Sequence, residues 1–186
     1  KNKQIEFNLN QLLESLNTLT EQIQTYSEQI NLIANEDRFK KPVRVLSCFR
    51  GIDTLSAFSI ITEVGDIKRF SHPRQLMSYI GLDVREYSSG GIQKQFGITK
   101  LGNKYLRRVF VESSQSCYKR PRVSYELKTR RTQTEPELVG IANRCMNRLH
   151  KKSNQMIFKG KAINKVKVAC AREMVGFVWE ALIKAN

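Results

Sequence analysis

Apolar residues near the N-terminus, at Ile5, Leu9, Leu12, Leu16, Leu19, Ile23, Tyr26, Ile30 and Ile33, follow one another at alternating steps of four and three. That is the heptad period, in which apolar side chains line up as one seam along a helix. No Gly or Pro interrupts it, so the pattern predicts a long helix across residues 1–40. A seam of this kind needs cover. Either a partner helix supplies it in a coiled coil, making a homo-oligomer, or the helix lies along its own domain, for instance against the apolar C-terminal helix. Asn10 and Asn17 stand near the seam, where polar groups help to fix register.

Beyond it, residues 41–186 read as a second, mainly α unit of shorter amphipathic pieces. Pro42 is expected to end a linker, after which Val43 to Phe49 form a short helix that closes at Arg50-Gly51. Asp53 or Thr54 can cap the next helix, which carries Leu55, Phe58, Ile60 and Ile61 up to Val64 and stops at Gly65. A further helix should start near Ser71, with Pro73 in its first turn, and end before Gly81. Leu82 to Gly102 is the least helical region, a Gly/Ser loop or small β-hairpin around Ser88, Ser89, Gly90, Gly91 and Gly97. Asn103 to Tyr118 reads as a helix with Tyr105, Leu106, Val109 and Phe110 inward and Lys104, Arg107 and Arg108 outward. A charged stretch from Lys119 to Glu137 follows, and helices near Leu138–His150 and Ile163–Ala185 finish the chain. There is no internal repeat.

Charge sharpens this division. The chain holds 32 Lys and Arg against 17 Asp and Glu, a formal charge of +15. Such an excess favours a polyanion, nucleic acid first, as the partner. Residues 1–37 carry two Lys against six acids, residues 85–131 carry twelve Lys and Arg against three, and residues 141–172 add nine with no acid. Two separate segments thus supply most of the positive field. No apolar stretch approaches the roughly eighteen residues of a membrane span, so no membrane partner is expected. Cys48, Cys117, Cys145 and Cys170 lie more than twenty residues apart with no CxxC pair, and His72 and His150 are isolated, a pattern that argues against zinc. Free cysteines and the absence of a signal peptide fit a reducing cytoplasm. A start at Lys1 in place of Met suggests a fragment of a longer protein.

Two constellations could carry chemistry. The hairpin at 43–64 resembles a helix-hairpin-helix unit, in which a Gly-rich turn aims N–H groups at a phosphate; Asp53, standing where a second glycine is usual, would cap the helix but repel the phosphate. A structural hairpin and a phosphate binder are equally open. The second constellation sets Ser88-Ser89-Gly90-Gly91 among Arg85, Lys94, Lys100, Lys104, Arg107 and Arg108. A serine attacks phosphorus only where its alkoxide is favoured and the developing charge is neutralised. Read alone, Ser-Ser-Gly-Gly is a turn, and the cations show binding, not reaction.

Residues 43–118 closely resemble the C-terminal domain of the bridge-RNA-guided insertion-sequence transposases, whose N-terminal domain is a resolvase-like DEDD fold. The matching stretches come in order: Arg50-Gly51-Ile52-Asp53 for the family's Pro-Gly-Ile-Gly, Val64-Gly65-Asp66-Ile67-Lys68-Arg69-Phe70, Tyr79-Ile80-Gly81-Leu82, Ser89-Gly90-Gly91, Ile98-Thr99-Lys100-Leu101-Gly102-Asn103 and Tyr105-Leu106-Arg107-Arg108. The tail adds Phe158-Lys159-Gly160-Lys161-Ala162 and Ala171 to Trp179, similar to the family's closing helix and the Lys-Gly-Lys turn before it. The heptad segment looks like the coiled coil that links the two domains of the family and mediates assembly.

The resemblance implies that Ser89 is the nucleophile that attacks DNA and forms a phosphoserine intermediate, with Ser88 the near alternative. It also implies DNA and a guide (bridge) RNA as partners, with Arg85, Lys94, Lys100, Lys104, Arg107, Arg108, Lys159 and Lys161 contacting nucleic acid. The family's four metal-binding carboxylates belong to the DEDD domain, so Mg²⁺ is expected there and no metal or other cofactor here. Asp53, Glu63, Asp66 and Asp83 are expected to be caps or solvated charges. On this reading the isolated chain binds nucleic acid without cutting it. The competing readings are a non-catalytic binding and oligomerisation module, and a regulatory protein whose heptad segment is its purpose.

Overall fold

In the computed structural model residues 2–89 and 92–186 are described, with the backbone alone at 85–89 and 92–96. The helices are α1 (Lys3–Ala34), α2 (Asp37–Ser47), α3 (Thr54–Val64), α4 (Pro73–Ile80), α5 (Lys104–Ser113), α6 (Tyr125–Arg131), α7 (Pro136–Phe158) and α8 (Ile163–Ala185). Short 3₁₀ turns lie at Ile67–Arg69 and Ser114–Ser116, and two strands, β1 (Val84–Ser89) and β2 (Ile92–Ile98), separate α4 from α5. The fold is mainly α, as the pattern predicts.

Its centre is α8, which packs against α7, α4, α2, α5 and both 3₁₀ turns. The reason is in its composition. Val166, Cys170, Ala171, Met174, Val175, Val178, Ala181, Leu182 and Ala185 are all buried, a spread round the helix that suits a post surrounded by other elements more than a one-sided amphipathic helix. Phe49, Ile52, Ile60, Leu76, Ile80, Leu106 and Phe110 complete the core from the neighbouring helices. Trp179 ties α8 to the first 3₁₀ turn, its indole N–H donating to the Phe70 carbonyl at 2.8 Å.

Local chemistry sets the helix starts. Asp53 accepts from Ser56 N–H at 2.8 Å and caps α3, and Asn103 accepts from Tyr105 and Leu106 N–H at 2.9 and 3.0 Å and caps α5. Pro73 opens α4 behind His72, and Gly81 closes it in the left-handed region at φ 75°.

Several expectations are corrected. Pro42 does not end a linker, because α2 begins at Asp37 and carries Pro42 inside it. A proline there removes one helical hydrogen bond. Burial of Val43, Val45 and Leu46, with the Phe39 ring edge-on to Phe58 at 5.1 Å, holds the helix through it. The charged stretch after Lys119 contains the helix α6, and α7 runs eight residues past His150 to Phe158. Tyr105, expected inward, is 63% exposed, while Leu106 and Phe110 are buried.

The N-terminal helix, 32 residues and therefore about 48 Å long, is the least covered element. Its buried residue is Ala34, at the end that meets α2 and α3. Along the heptad seam Leu12, Ile23 and Tyr26 are 66–69% exposed, so before its end at α2 and α3 the seam of α1 is not covered by the described residues of its own domain.

Candidate nucleic-acid interface

The turn between α2 and α3 is a joint whose polar groups are already engaged. Gly51 has φ 90°, and a Cβ there would stand 2.0 Å from the Ser113 carbonyl oxygen. Arg130 donates to the Ile52 carbonyl at 2.6 Å, and buried Arg131 donates to the Cys48 carbonyl at 3.0 Å and to Asn143 Oδ1 at 2.9 Å. Arg50 in turn donates to the Arg120 carbonyl at 2.9 Å. Asp53 caps α3 through the Ser56 N–H, which puts a carboxylate at the end where a phosphate would dock, and three arginines bind main-chain carbonyls in and around the joint, Arg130 that of Ile52, Arg131 that of Cys48 and Arg50 that of Arg120.

The serine-bearing segment is a small antiparallel hairpin. Val84 pairs with Ile98 and Ser89 with Ile92, with a bulge between Val84 and Glu86. Ser89 is thus the last residue of β1, at the far end of the hairpin from its base. Gly90 and Gly91 lie outside the described residues, as do the side chains of Arg85, Ser88, Ser89 and Lys94.

The base of the hairpin is pinned by a clasp. Thr99 N–H donates to the Asp83 carbonyl at 2.8 Å, Lys100 N–H to the Gly81 carbonyl at 3.1 Å, and Asn103 N–H to the Tyr79 carbonyl at 2.9 Å. Asn103 Nδ2 reaches Glu63 Oε2 at 2.5 Å, and the Tyr79 hydroxyl donates to the Glu63 carbonyl at 3.3 Å. Arg69 lies 4.5 Å over the rings of both Phe70 and Tyr79. The short motifs scattered from Val64 to Arg108 therefore meet in space, and what they build is the mount of the serine hairpin.

The predicted cations divide into two kinds. Lys100, Lys104, Lys159 and Lys161 are exposed, and exposed Arg108 is paired with Glu112 at 2.8 Å. Arg107, expected outward, is half-buried and donates to the Ile80 carbonyl at 2.9 Å, closing the end of α4. Sequence reasoning also missed a groove of about 860 Å³ beside the hairpin base, where Lys100 meets Lys152, Lys165 and Arg172 over an apolar floor of Ile98 and Val168. The run of nine cations without an acid in 141–172 was the available signal.

Carboxylates do not converge. Asp53 and Asp66 cap helical turns, Glu63 is bound to Asn103, and Asp83 lies 3.7 Å from Arg172. Among the described residues no three His, Cys, Asp or Glu side chains stand together. Burial opposes ionisation of Glu173, but hydrogen bonds from Arg148 and Lys152 outweigh it and hold its carboxyl below the usual range. All four cysteines are buried and unpaired. The neighbouring Cys170 thiol lowers Cys117 below the ordinary thiol range, and burial pushes Cys145 well above it. Among the described residues no helix is long and apolar enough to cross a membrane.

Residues 43–129 match the Transposase IS116/IS110/IS902 family. The chain is 37% identical over 137 residues to a putative transposase, y4qE, of Sinorhizobium fredii, an overlap of 74% of this chain and 35% of that protein. It is 39% identical over 66 residues to the transposase for insertion sequence element IS1111A of Coxiella burnetii, covering 36% of this chain and 18% of the relative. It is also 30% identical over 143 residues to the transposase for insertion sequence element IS1533 of Leptospira borgpetersenii, covering 72% and 39%. The chain spans well under half the length of each of these relatives.

Proposed function

We propose, with residues 43–129 as a transposase domain of the IS110/IS116 type, that this chain is the DNA-handling, serine-bearing part of an insertion-sequence transposase. The observation that carries the reading is the hairpin: a serine at its far end, a rigid clasp at its base, and lysines on the surface around that base. In the reaction Ser89 Oγ attacks a DNA phosphorus. An Oγ–P bond forms, a P–O bond of the backbone breaks, and the released sugar hydroxyl takes up a proton. Attack by a second strand's hydroxyl reverses the step and joins new ends, so the phosphodiester energy is kept and no nucleotide cofactor is consumed. Lys100, Lys104, Lys159 and Lys161, with Arg85, Lys94 and Arg108, hold the phosphates of DNA or of the guide RNA.

Asp53, Glu63, Asp66 and Asp83 serve as caps or as partners of Asn103 and Arg172, and among the described residues no three His, Cys, Asp or Glu side chains stand together as a Mg²⁺ site would need. Metal belongs, on this reading, to the DEDD-type domain of the full-length protein. Strand cleavage is correspondingly an activity of the full-length protein, and this chain alone binds without cutting.

Binding by this chain should weaken steeply with salt. Four or more neutralised phosphates give a slope of log K against log salt of about −4 or steeper on duplex DNA. A slope near zero between low and physiological salt would contradict a nucleic-acid surface.

The seam of α1 is read as a coiled coil between copies of the protein. Paired replacement Leu16→Glu and Ile23→Glu, at two exposed seam positions, should convert the oligomer to monomer by sedimentation while leaving the thermal melt of the helical domain in place. An unchanged mass would remove the coiled coil from the account. The second reading, a non-catalytic binding and assembly module, shares both results and differs only at Ser89.

A further inference from the structure

Lys100 is, among the described residues, the one non-glycine in the left-handed region, at φ 57°. A Cβ is disfavoured there, and glycine or asparagine is the usual occupant. The clasp dictates the conformation. Lys100 N–H is bound to the Gly81 carbonyl and Asn103 N–H to that of Tyr79, and the chain between them lies close against the end of α4. A Cβ on Gly102 would stand 2.3 Å from the Tyr79 carbonyl oxygen, and one on Gly81 2.7 Å from that of Leu101. Glycine at position 100 would make the same turn without strain. The chain keeps a lysine instead, and that exposed lysine lines the groove at the hairpin base. Backbone strain retained at a surface position points to a side chain kept for what it binds.

The groove is cationic and in part unpaired. Lys152 is paired with Glu173 and Arg172 with Asp83, whereas Lys100 and Lys165 make no ion pair among the described residues. Asn164 and Lys165 bring the first turn of α8 to the groove, and that helix starts after Ala162 with no side chain capping its N–H groups. The positive end of its dipole therefore adds to the field of the lysines. Val84 and Ile98, paired at the base of the hairpin, line the same groove, and Ser89 lies about 17 Å from Val84 along β1 at the usual strand rise.

We propose that this groove anchors the DNA strand that Ser89 attacks, with Lys100 and Lys165 holding a phosphate within about five nucleotides of the attacked one. The limit follows from spacing: about 17 Å is about five steps at 3.4 Å per nucleotide of a duplex strand, and fewer along a strand drawn out straighter. The occupant is DNA because the strand that reaches the groove is the one running down the hairpin from the serine. With one phosphate held at the base, the phosphodiester at the other end of β1 is the one presented for attack, so the strained lysine sets the register of cleavage. The inference rests on the proposed function for the serine and for the identity of its strand.

The test uses the full-length transposase and labelled insertion-sequence ends, reads the covalent protein–DNA adduct, and places a methylphosphonate at one phosphate at a time to remove its charge. With the native protein, one neutral phosphate within about five nucleotides of the cleaved one should lower adduct formation about tenfold, the loss of one charge-assisted contact. Lys100→Gly and Lys100→Asn should lower it by a similar factor on ordinary DNA and lose nothing further on that methylphosphonate. Both variants should melt no lower than the native protein, since both residues accept the left-handed turn. Lys100→Arg should keep adduct formation within about threefold, because the charge stays. A melt lowered together with the adduct would make Lys100 a structural residue. Losses that add at every phosphate position would mean that the lysine meets no DNA near the cleaved bond. Either result overturns the proposal, as does the same dependence found only for a phosphate of an RNA strand. If the native protein formed no adduct on DNA at all, the proposed function would fail together with this inference; if the adduct formed and the Lys100 variants matched the native protein, this inference alone would fail.

Discussion

Ser89→Ala in the full-length transposase is expected to lower recombination by at least about a thousandfold, because removing the attacking oxygen leaves binding and positioning but no bond to form. DNA affinity should change less than about twofold, since a neutral hydroxyl adds little to a surface whose hold on phosphate comes from lysines. Ser88→Ala is the control that gives the result its meaning. Ser88 and Ser89 are adjacent at the end of β1, so comparing the two variants tells which of them attacks. Activity is expected to survive Ser88→Ala within about tenfold. Recombination unchanged in Ser89→Ala would leave the chain as a binding and assembly module.

Gly51→Ala is the largest stability loss expected from a single methyl group. Two effects add at this position. The left-handed φ of 90° strains any residue with a Cβ by roughly 1–2 kcal/mol. The new atom would also stand 2.0 Å from the Ser113 carbonyl, which is backbone and cannot swing aside. The α2–α3 joint would have to leave α5 and loosen the arginines that bind its carbonyls, for a total above about 3 kcal/mol and a fall in Tm of roughly 6–12 °C. Gly160→Ala separates the two causes. It has a similar φ of 68° but nothing within 4 Å of its Cβ, so the loss should be only about 1 kcal/mol. Equal losses at both glycines would show that backbone strain alone decides, and that the close approach to Ser113 is not felt.

Local rules were legible in the chain wherever the deciding atoms were neighbours in sequence. Asp53 and Asn103 start helices by accepting from N–H groups two or three residues on, Gly81 closes α4 by donating to carbonyls three and four residues back, and α8 spans Ile163–Ala185 as its apolar content predicts. The heptad seam predicts α1, and its exposure settles where the helix does not lie. What sequence alone could not show was decided by contacts across the fold. Pro42 stays helical because the face after it is buried, and α7 runs past His150 with Ser153 buried against the Cys117 carbonyl. Charge was the least legible feature. Arg107, Arg130 and Arg131 look like a nucleic-acid surface, yet each is bound to a main-chain carbonyl of a distant turn. Spacing cannot tell a cation that closes a helix end from one that meets a phosphate. The role given to the serine loop rests on the resemblance alone, since Ser-Ser-Gly-Gly by itself is a turn.

The most direct measurement is a denaturing gel of the full-length transposase incubated with labelled insertion-sequence ends, comparing the native protein with Ser89→Ala and Ser88→Ala. A covalent protein–DNA band in the native protein and in Ser88→Ala, but not in Ser89→Ala, is the result expected of a phosphoserine intermediate. An adduct that persists in Ser89→Ala would contradict the account and move the chemistry away from this hairpin.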